Sequence, residues 1–490
     1  MIAPRTLLVS LLLGLTVVGT ASATSYFVTQ SGAGSHSGID LADAWSVANY
    51  NASSTPTGGD TVFFSGTITS TITQNKSGTG NGASRLTMDF TGSCNGCTAA
   101  TLSTATPRFN INSKNFLNIY GGTIAPSTSG TFFTNNNGSA HDVTLSGWSY
   151  TGADATYVSF IHITGLSNFV LENNTLTGLG DFIDGDSSST HDLTIQNNLA
   201  TTNINTIDQT DVIIMGDAYN VTIQGNKFVN RSPGQNNNGQ HNDVIQTYHG
   251  GSGGGANPSG WVVRYNWIEL DMTSTFRTGD NSWMQLESFD NTHGGFGLKI
   301  YSNVFVGDGP TFSGNNGFGA DSHGITASNY VYNNTIIRKN GPDRTIGWVG
   351  SGATLFMRNN VFEADLGEGG TDVDVASQTP GTGGYDYNFW YHLDGAVTSG
   401  TTGAHGSSAT DPQFTSYSGG DYSLGAGSPL INAGDSSVGS EFNQGPCSGA
   451  TWPNPTLCTR SAGAWDVGAY QSGGGNGAPD PPTGLNAQVQ

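Results

Sequence analysis

Charge is scarce in this chain, and positive charge is scarcest: 15 Lys and Arg stand against 36 Asp and Glu, and only 10% of the 490 residues are charged. A net charge of −21 excludes nucleic acid and an anionic membrane surface as partners. Cysteine is limited to Cys94, Cys97, Cys447 and Cys458. No second Cys/His pair lies beside the CNGC stretch, and no βαβ pattern surrounds it, so a metal knuckle or redox motif is the weaker reading. The two local pairs read as disulfides made in an oxidising compartment. Apolar runs long enough to span a bilayer are also missing, so no membrane insertion is expected.

What is abundant is glycine, 72 residues, with many Asn, Ser and Thr and with aromatics kept at 10%. That mixture points to a repetitive β protein with frequent turns. At the start, Arg5, the apolar stretch Leu7 to Val18 and the small residues Ala21-Ser22-Ala23 form the pattern of a secretory signal over residues 1–23. The mature chain is expected to be a monomer, secreted to the cell exterior or the periplasm. Nine of the fifteen cations fall between Lys227 and Arg358, where nine acids also lie. A locally neutral middle in an otherwise acidic exported chain suits an anionic ligand.

A repeat organises that middle. FVLENNTL (169–176), LTIQNNLA (193–200), VTIQGNKF (221–228), WVVRYNWI (261–268), LKIYSNVF (298–305), NYVYNNTI (329–336) and LFMRNNVF (355–362) share apolar-x-apolar-x-x-Asn, with Asn174, Asn198, Asn226, Asn266, Asn303, Asn334 and Asn360 in common and Asn388 continuing the series. Alternation before the Asn is a strand with one buried face, and a second strand begins after it. Asn at the corner tolerates left-handed backbone, so stacked Asn side chains would turn every coil. Three short strands per period predict an all-β, right-handed, single-stranded parallel β-helix of about ten coils. The wide spacings place insertions at NRSPGQNNNGQ (230–240) and GGSGGGANPSG (250–260), flanking QHNDVIQTYHG (240–250). Long loops on a regular rod are where binding usually resides.

The opening YFVTQSGAGSHSGIDLADAWSVANYN with GGDTVFFSGTITSTI, and the ending DPQFTSYSGGDYSLGAGSPLINAGD with DVGAYQ, resemble the ends of secreted β-helix proteins of the pectate-lyase-like superfamily, in its alginate lyase and chondroitinase B-like group. The resemblance implies a polysaccharide substrate and, most directly, a lyase acting on an acidic polymer such as alginate or pectate. It divides the chain into a cap with first coils (24–100), a central helix with site loops (101–400), closing coils (401–471) and a Gly/Pro linker (472–490) whose PPTGLNAQVQ resembles the start of a fibronectin-type module.

Strands preceding each Asn-bearing strand, GDFIDGD, TDVIIMGD, NDVIQTYH and SWMQLESFD, should stack into one sheet. With Ile183, Ile213 and Ile245 inward, Asp184, Gln246, Tyr248, Gln285 and Glu287 face outward. β-Elimination on a uronate needs the carboxylate neutralised, a base, and an acid for the leaving oxygen. Calcium on Asp184, Asp186, Asp211 and Asp217, with Glu287 as a further carboxylate, would do the first, as would a donor cluster of Gln246, Gln285 and Arg277; Arg231, Gln285 and Glu287 are the expected substrate-binding residues. His241, His249 or Arg231 would serve as base, Tyr248 as acid, with Asp243 nearby. Asp211 and Asp243 are read equally well as bonding turn backbone. Lys299 and Arg264 alternate outward on the Asn-bearing strand, where a solvated face is the first reading; they are kept as reserve substrate ligands because related lyases often pair a Lys base with an Arg, although no motif matches theirs. A glycoside hydrolase would need two carboxylates, Asp184 with Asp211 or Asp243 with Glu287. A non-catalytic adhesive rod is the third reading.

Overall fold

The structure is a computed structural model, and it describes residues 23–103, 109–125, 129–135, 138–152, 157–186, 189–202, 210–231, 243–248, 257–271, 282–287, 289–308, 318–321, 327–339, 346–347, 354–364, 373–374, 379–393, 402–460, 463 and 465–472. The leader, the linker and most of the two long insertions therefore lie outside the described residues.

The chain winds through three parallel sheets of fourteen, twelve and nine strands. One rung runs through Leu166–Glu172 in the first sheet, Thr175–Leu179 in the second and Asp181–Asp186 in the third, then begins again at His191–Gln196. Period-two patterning sets each register. Leu171, Ile195, Ile223, Val263, Ile300, Val331 and Met357 sit opposite one another through seven successive rungs, and all are buried. No single rung encloses this column; each apolar face is covered by the rungs above and below.

The corner between the first and second sheets carries the asparagine series. Each ladder Asn from Asn174 to Asn360 donates its Nδ2 to Oδ1 of the next, ending on Asn388, at 2.8 to 3.1 Å. The same Oδ1 accepts the backbone N–H of the preceding ladder residue. The left-handed residue is not the ladder Asn, as the sequence pattern suggested, but its predecessor: Asn173, Asn197, Gly225, Tyr265, Ser302, Asn333, Asn359 and Tyr387 have φ between 53° and 66°. The ladder Asn is thereby free to bond upward while its neighbour makes the bend. This explains why the position before it varies among Asn, Gly, Ser and Tyr.

Rungs before Asn174 lack the asparagine, which is why the sheets hold more strands than an Asn-based count of coils. At the N-terminal end, helix Val47–Ala52 begins at Ser46, whose side chain accepts from Asn49 N. Tyr50 is buried there beneath Lys76, whose ammonium lies 3.5 Å from the ring centroid.

Beyond Ser407 the segment expected to form closing coils does not extend the three sheets. It makes two antiparallel pairs, Phe414–Ser416 with Asp421–Leu424 and Gln444–Pro446 with Leu457–Thr459, and folds back along the rod as a strap. Asn454 N bonds Gly225 O, Trp452 Nε1 bonds Tyr265 O, Ser302 Oγ bonds Gln444 O, and Asp435 N bonds Asn359 Oδ1. Four left-handed corner residues are thus covered by one segment. Both expected disulfides, Cys94–Cys97 and Cys447–Cys458, are present, the second inside the strap.

Candidate functional site

Ile183, Ile213, Ile245 and Met284 of the third sheet are all fully buried, so their alternating neighbours point outward. The register aligns Asn110, Thr134, His162, Asp184, Ile214, Gln246 and Gln285 in one outward column. Asp186, Gly216 and Tyr248 form a second column beside it. A Cβ placed on Gly216 would come within 2.8 Å of the Tyr248 ring; glycine here leaves room for the phenol to lie across the rung below. Gln246, 6% exposed, is far more enclosed than Asp184, whose side chain is 41% exposed.

The corner between the second and third sheets holds a different ladder. Asp211 N donates to Asp181 Oδ1 at 3.2 Å, Asp243 N to Asp211 Oδ1 at 2.6 Å, and Ser282 N to Asp243 Oδ1 at 2.6 Å. All three aspartates are buried. Asp211 and Asp243 therefore hold the turn backbone of successive rungs through Oδ1, the turn-bonding reading of these two residues. Burial, then the charges of Asp211 and Asp184, push the Asp181 carboxyl well above its ordinary value. The folded state thus keeps this proton to higher pH than the unfolded chain, so stability falls as pH rises from about 4 towards the folded value. Asp181→Asn keeps the Oδ1 acceptor and removes the charge. Thermal melts from pH 4 to 8 should show a higher Tm than wild type at pH 8 and a shallower decline; an unchanged slope would rule out Asp181 as its source.

Other expected ligands are dispersed. Asp184 Oδ2 lies 3.1 Å from His162 Nδ1. Asp217 is buried in left-handed backbone, and its N–H bonds Tyr248 O. Asp186 is placed at the end of its strand and Glu287 opposite Asp321, but their side chains lie outside the described part. Among the described residues no three His, Cys, Asp or Glu come together to hold a metal; the side chain of Asp186, one of the four expected calcium ligands, lies outside them. Arg231 is half exposed and pairs with Asp271 at 3.1 Å. His241, His249 and Arg277 lie outside the described residues.

Arg264 and Lys299 lie on the first sheet beneath the strap. Arg264 bridges Gln224 Oε1 and the Tyr301 hydroxyl, each at 2.9 Å, beside the cluster of Tyr265, Tyr301, Tyr332, Phe442 and Trp465. Lys299 Nζ bonds Glu441 Oε2 at 2.7 Å. Their alternation on the first sheet is outward, as expected, but strap residues occupy that outer face.

Two residues outside the expected site set lie on this face: His162 stands in the first outward column, and the Thr164 hydroxyl, just past its strand, lies 3.1 Å from the His162 ring. His162 and Thr164 precede the first insertion by two rungs, and the signal was the FIHITG segment one rung ahead of Asp184.

Stacked parallel sheets turning through an Asn ladder make this chain a right-handed parallel β-helix. No family model matches it, and no curated protein matches it in sequence. Among solved structures it is similar to the pectate lyase Pel9A (TM-score 0.41, 16% identity, 93% of this chain and 98% of that one). It is also similar to a PL6 family polysaccharide lyase from Pseudopedobacter saltans (0.39, 13%, 68% and 86%) and to the GH136 lacto-N-biosidase from Eubacterium ramulus (0.45, 11%, 74% and 67%).

Proposed function

We propose that the protein is an exported enzyme that cleaves an acidic polysaccharide by β-elimination at the outward face of the third sheet. The observation that supports this reading is the register that puts Gln246 and Gln285 on adjacent rungs of one column, with Tyr248 in the next column over Gly216. Two amides one rung apart, about 4.8 Å, suit the two oxygens of a uronate carboxylate. Their donation, with charge from Arg231 and Arg277, would make the adjacent C–H more acidic. His241 or His249 would take that proton, and the Tyr248 phenol would protonate the departing glycosidic oxygen.

Hydrolysis is less well supported. Each carboxylate pair it requires has one member, Asp211 or Asp243, buried on backbone N–H groups. The experiment is incubation of the protein with a panel of uronic and neutral polysaccharides, with calcium and with a chelator. An ultraviolet-absorbing unsaturated product is expected from a uronate polymer. New reducing ends without that absorbance would make it a hydrolase, and retention without product an adhesive rod.

A further inference from the structure

Two rungs from Gln246, about 10 Å along the rod, Asp184 of the same column starts a line that runs through His162, one rung further, to the hydroxyl of Thr164. Thr164 Oγ1 lies 3.1 Å from His162 Nε2, and His162 Nδ1 lies 3.1 Å from Asp184 Oδ2. Only one neutral tautomer satisfies both contacts: Nδ1–H donates to Asp184, and Nε2 accepts from the Thr164 hydroxyl. That is the order of a nucleophile, a base and a group that orients the base.

The backbone holds this arrangement in place. Ile163 N, between the two side chains, donates to Asp184 O at 2.7 Å. Thr164 O accepts from Asn135 Nδ2 at 2.8 Å, and Gly165 N donates to Thr190 Oγ1 at 3.0 Å. Asn135 is fully buried and also bonds Gly138 O and Ser113 N. The turn is therefore fixed from both neighbouring rungs, which is the preorganisation a reactive hydroxyl requires. The face is also accessible, with the His162 and Asp184 side chains 32% and 41% exposed.

We infer that Thr164, His162 and Asp184 form a second active centre, an acyl-transfer site that hydrolyses short acyl esters borne on sugar hydroxyls. An open face admits an ester carried on a polymer. The exposed large hydrophobic residues among those described, Ile39, Tyr120 and Leu393, lie on other elements, so a long acyl chain has no apolar bed here. Thr164 Oγ attacks the ester carbonyl carbon while its proton passes to His162 Nε2. A backbone N–H of the same turn would serve the developing oxyanion. Collapse breaks the bond to the sugar oxygen, which leaves with the proton from Nε2. Water, deprotonated by the same nitrogen, then releases the carboxylic acid and restores Thr164. No oxidant or metal enters the balance.

The test measures hydrolysis of p-nitrophenyl acetate and of an acetylated polysaccharide by the full chain and by variants whose melting curves match wild type. Thr164→Ala and His162→Ala should each lose roughly a thousandfold in rate, while Thr164→Ser retains turnover. A fluorophosphonate should add its mass to the Thr164 peptide of wild type and not of His162→Ala. No ester hydrolysis by wild type would overturn the inference. So would a Thr164→Ala rate equal to wild type, which would leave the imidazole acting alone. Thr164 has no part in the elimination scheme, so unsaturated-product formation by Thr164→Ala reports on that reading separately.

Discussion

Arg460→Met should loosen the strap from the rod and lower stability by about 3 to 5 kcal/mol. The guanidinium is buried, and among the described residues no carboxylate accepts from it. It donates instead to Gln444 O, Gly468 O, Ala469 O, Phe442 O and Ser302 Oγ, at 2.8 to 3.3 Å. Burial lowers its pKa to about 10, with the Tyr265 and Asp466 charges opposing that fall, so it remains charged at neutral pH. Five acceptors on three stretches of chain converge on one planar fork, a geometry a lysine ammonium does not reproduce. Removing it leaves several carbonyls buried without their donor, each costing about 1 to 3 kcal/mol before relaxation.

The expected readouts are a lower Tm, a red shift in tryptophan emission from Trp452 and Trp465, and rapid proteolytic cleavage between residues 434 and 460. The rungs before Asn226 make none of these contacts and should keep their protection from hydrogen exchange, because stability is divided among cooperative units. An unchanged Tm and an unchanged digestion pattern would show that the strap is held by its aromatic contacts, such as Trp267 against Tyr422 and Trp452, and not by the guanidinium.

Arg460 also shows where sequence reading stops. The fold was legible because it repeats: apolar alternation, one Asn per period and the spacing between them each carry the same information seven times. The strap occurs once. Its segment DPQFTSYSGGDYSLGAGSPLINAGD reads as short strands and turns whether it adds rungs or folds back over them. A lone Arg without an acidic neighbour gives no hint that it will be enclosed by carbonyls. For the same reason Arg264 and Lys299 were read as outward ligands: their direction was legible from alternation, but the segment that covers them, more than a hundred residues further along, was not.

The site was legible to a similar degree. The inward isoleucines fixed which way Gln246 and Tyr248 point, since a period of two leaves one choice of face. Asp211 and Asp243 remained ambiguous because an aspartate before a strand serves a turn and a reaction centre equally well. The cross-rung N–H bonds that show the turn role exist only once the register is known. His162 and Thr164 were missed because their partner, Asp184, stands twenty residues away in sequence and one rung away in space. Such neighbours appear only once the register is known.

Tyr248→Phe should lower kcat on the polymer identified by the panel by roughly a hundredfold to ten-thousandfold and leave KM little changed. The substitution removes one oxygen and keeps the ring over Gly216, so fold and groove shape persist while the proton donor is lost; an effect confined to kcat is the mark of an interaction made in the transition state. Gln285→Ala should act differently, raising KM as well, because an amide that holds the carboxylate works in the bound state and in the transition state. Gly216→Ala tests position without touching a polar group. Its new Cβ meets the ring at 2.8 Å, so the phenol must swing away, and kcat should fall with the hydroxyl still present. Full activity in Tyr248→Phe would remove the phenol from the chemistry and move the proton donor to the histidines of the flanking loops. A large loss in Gly216→Ala alongside it would then mark the glycine as a determinant of groove shape.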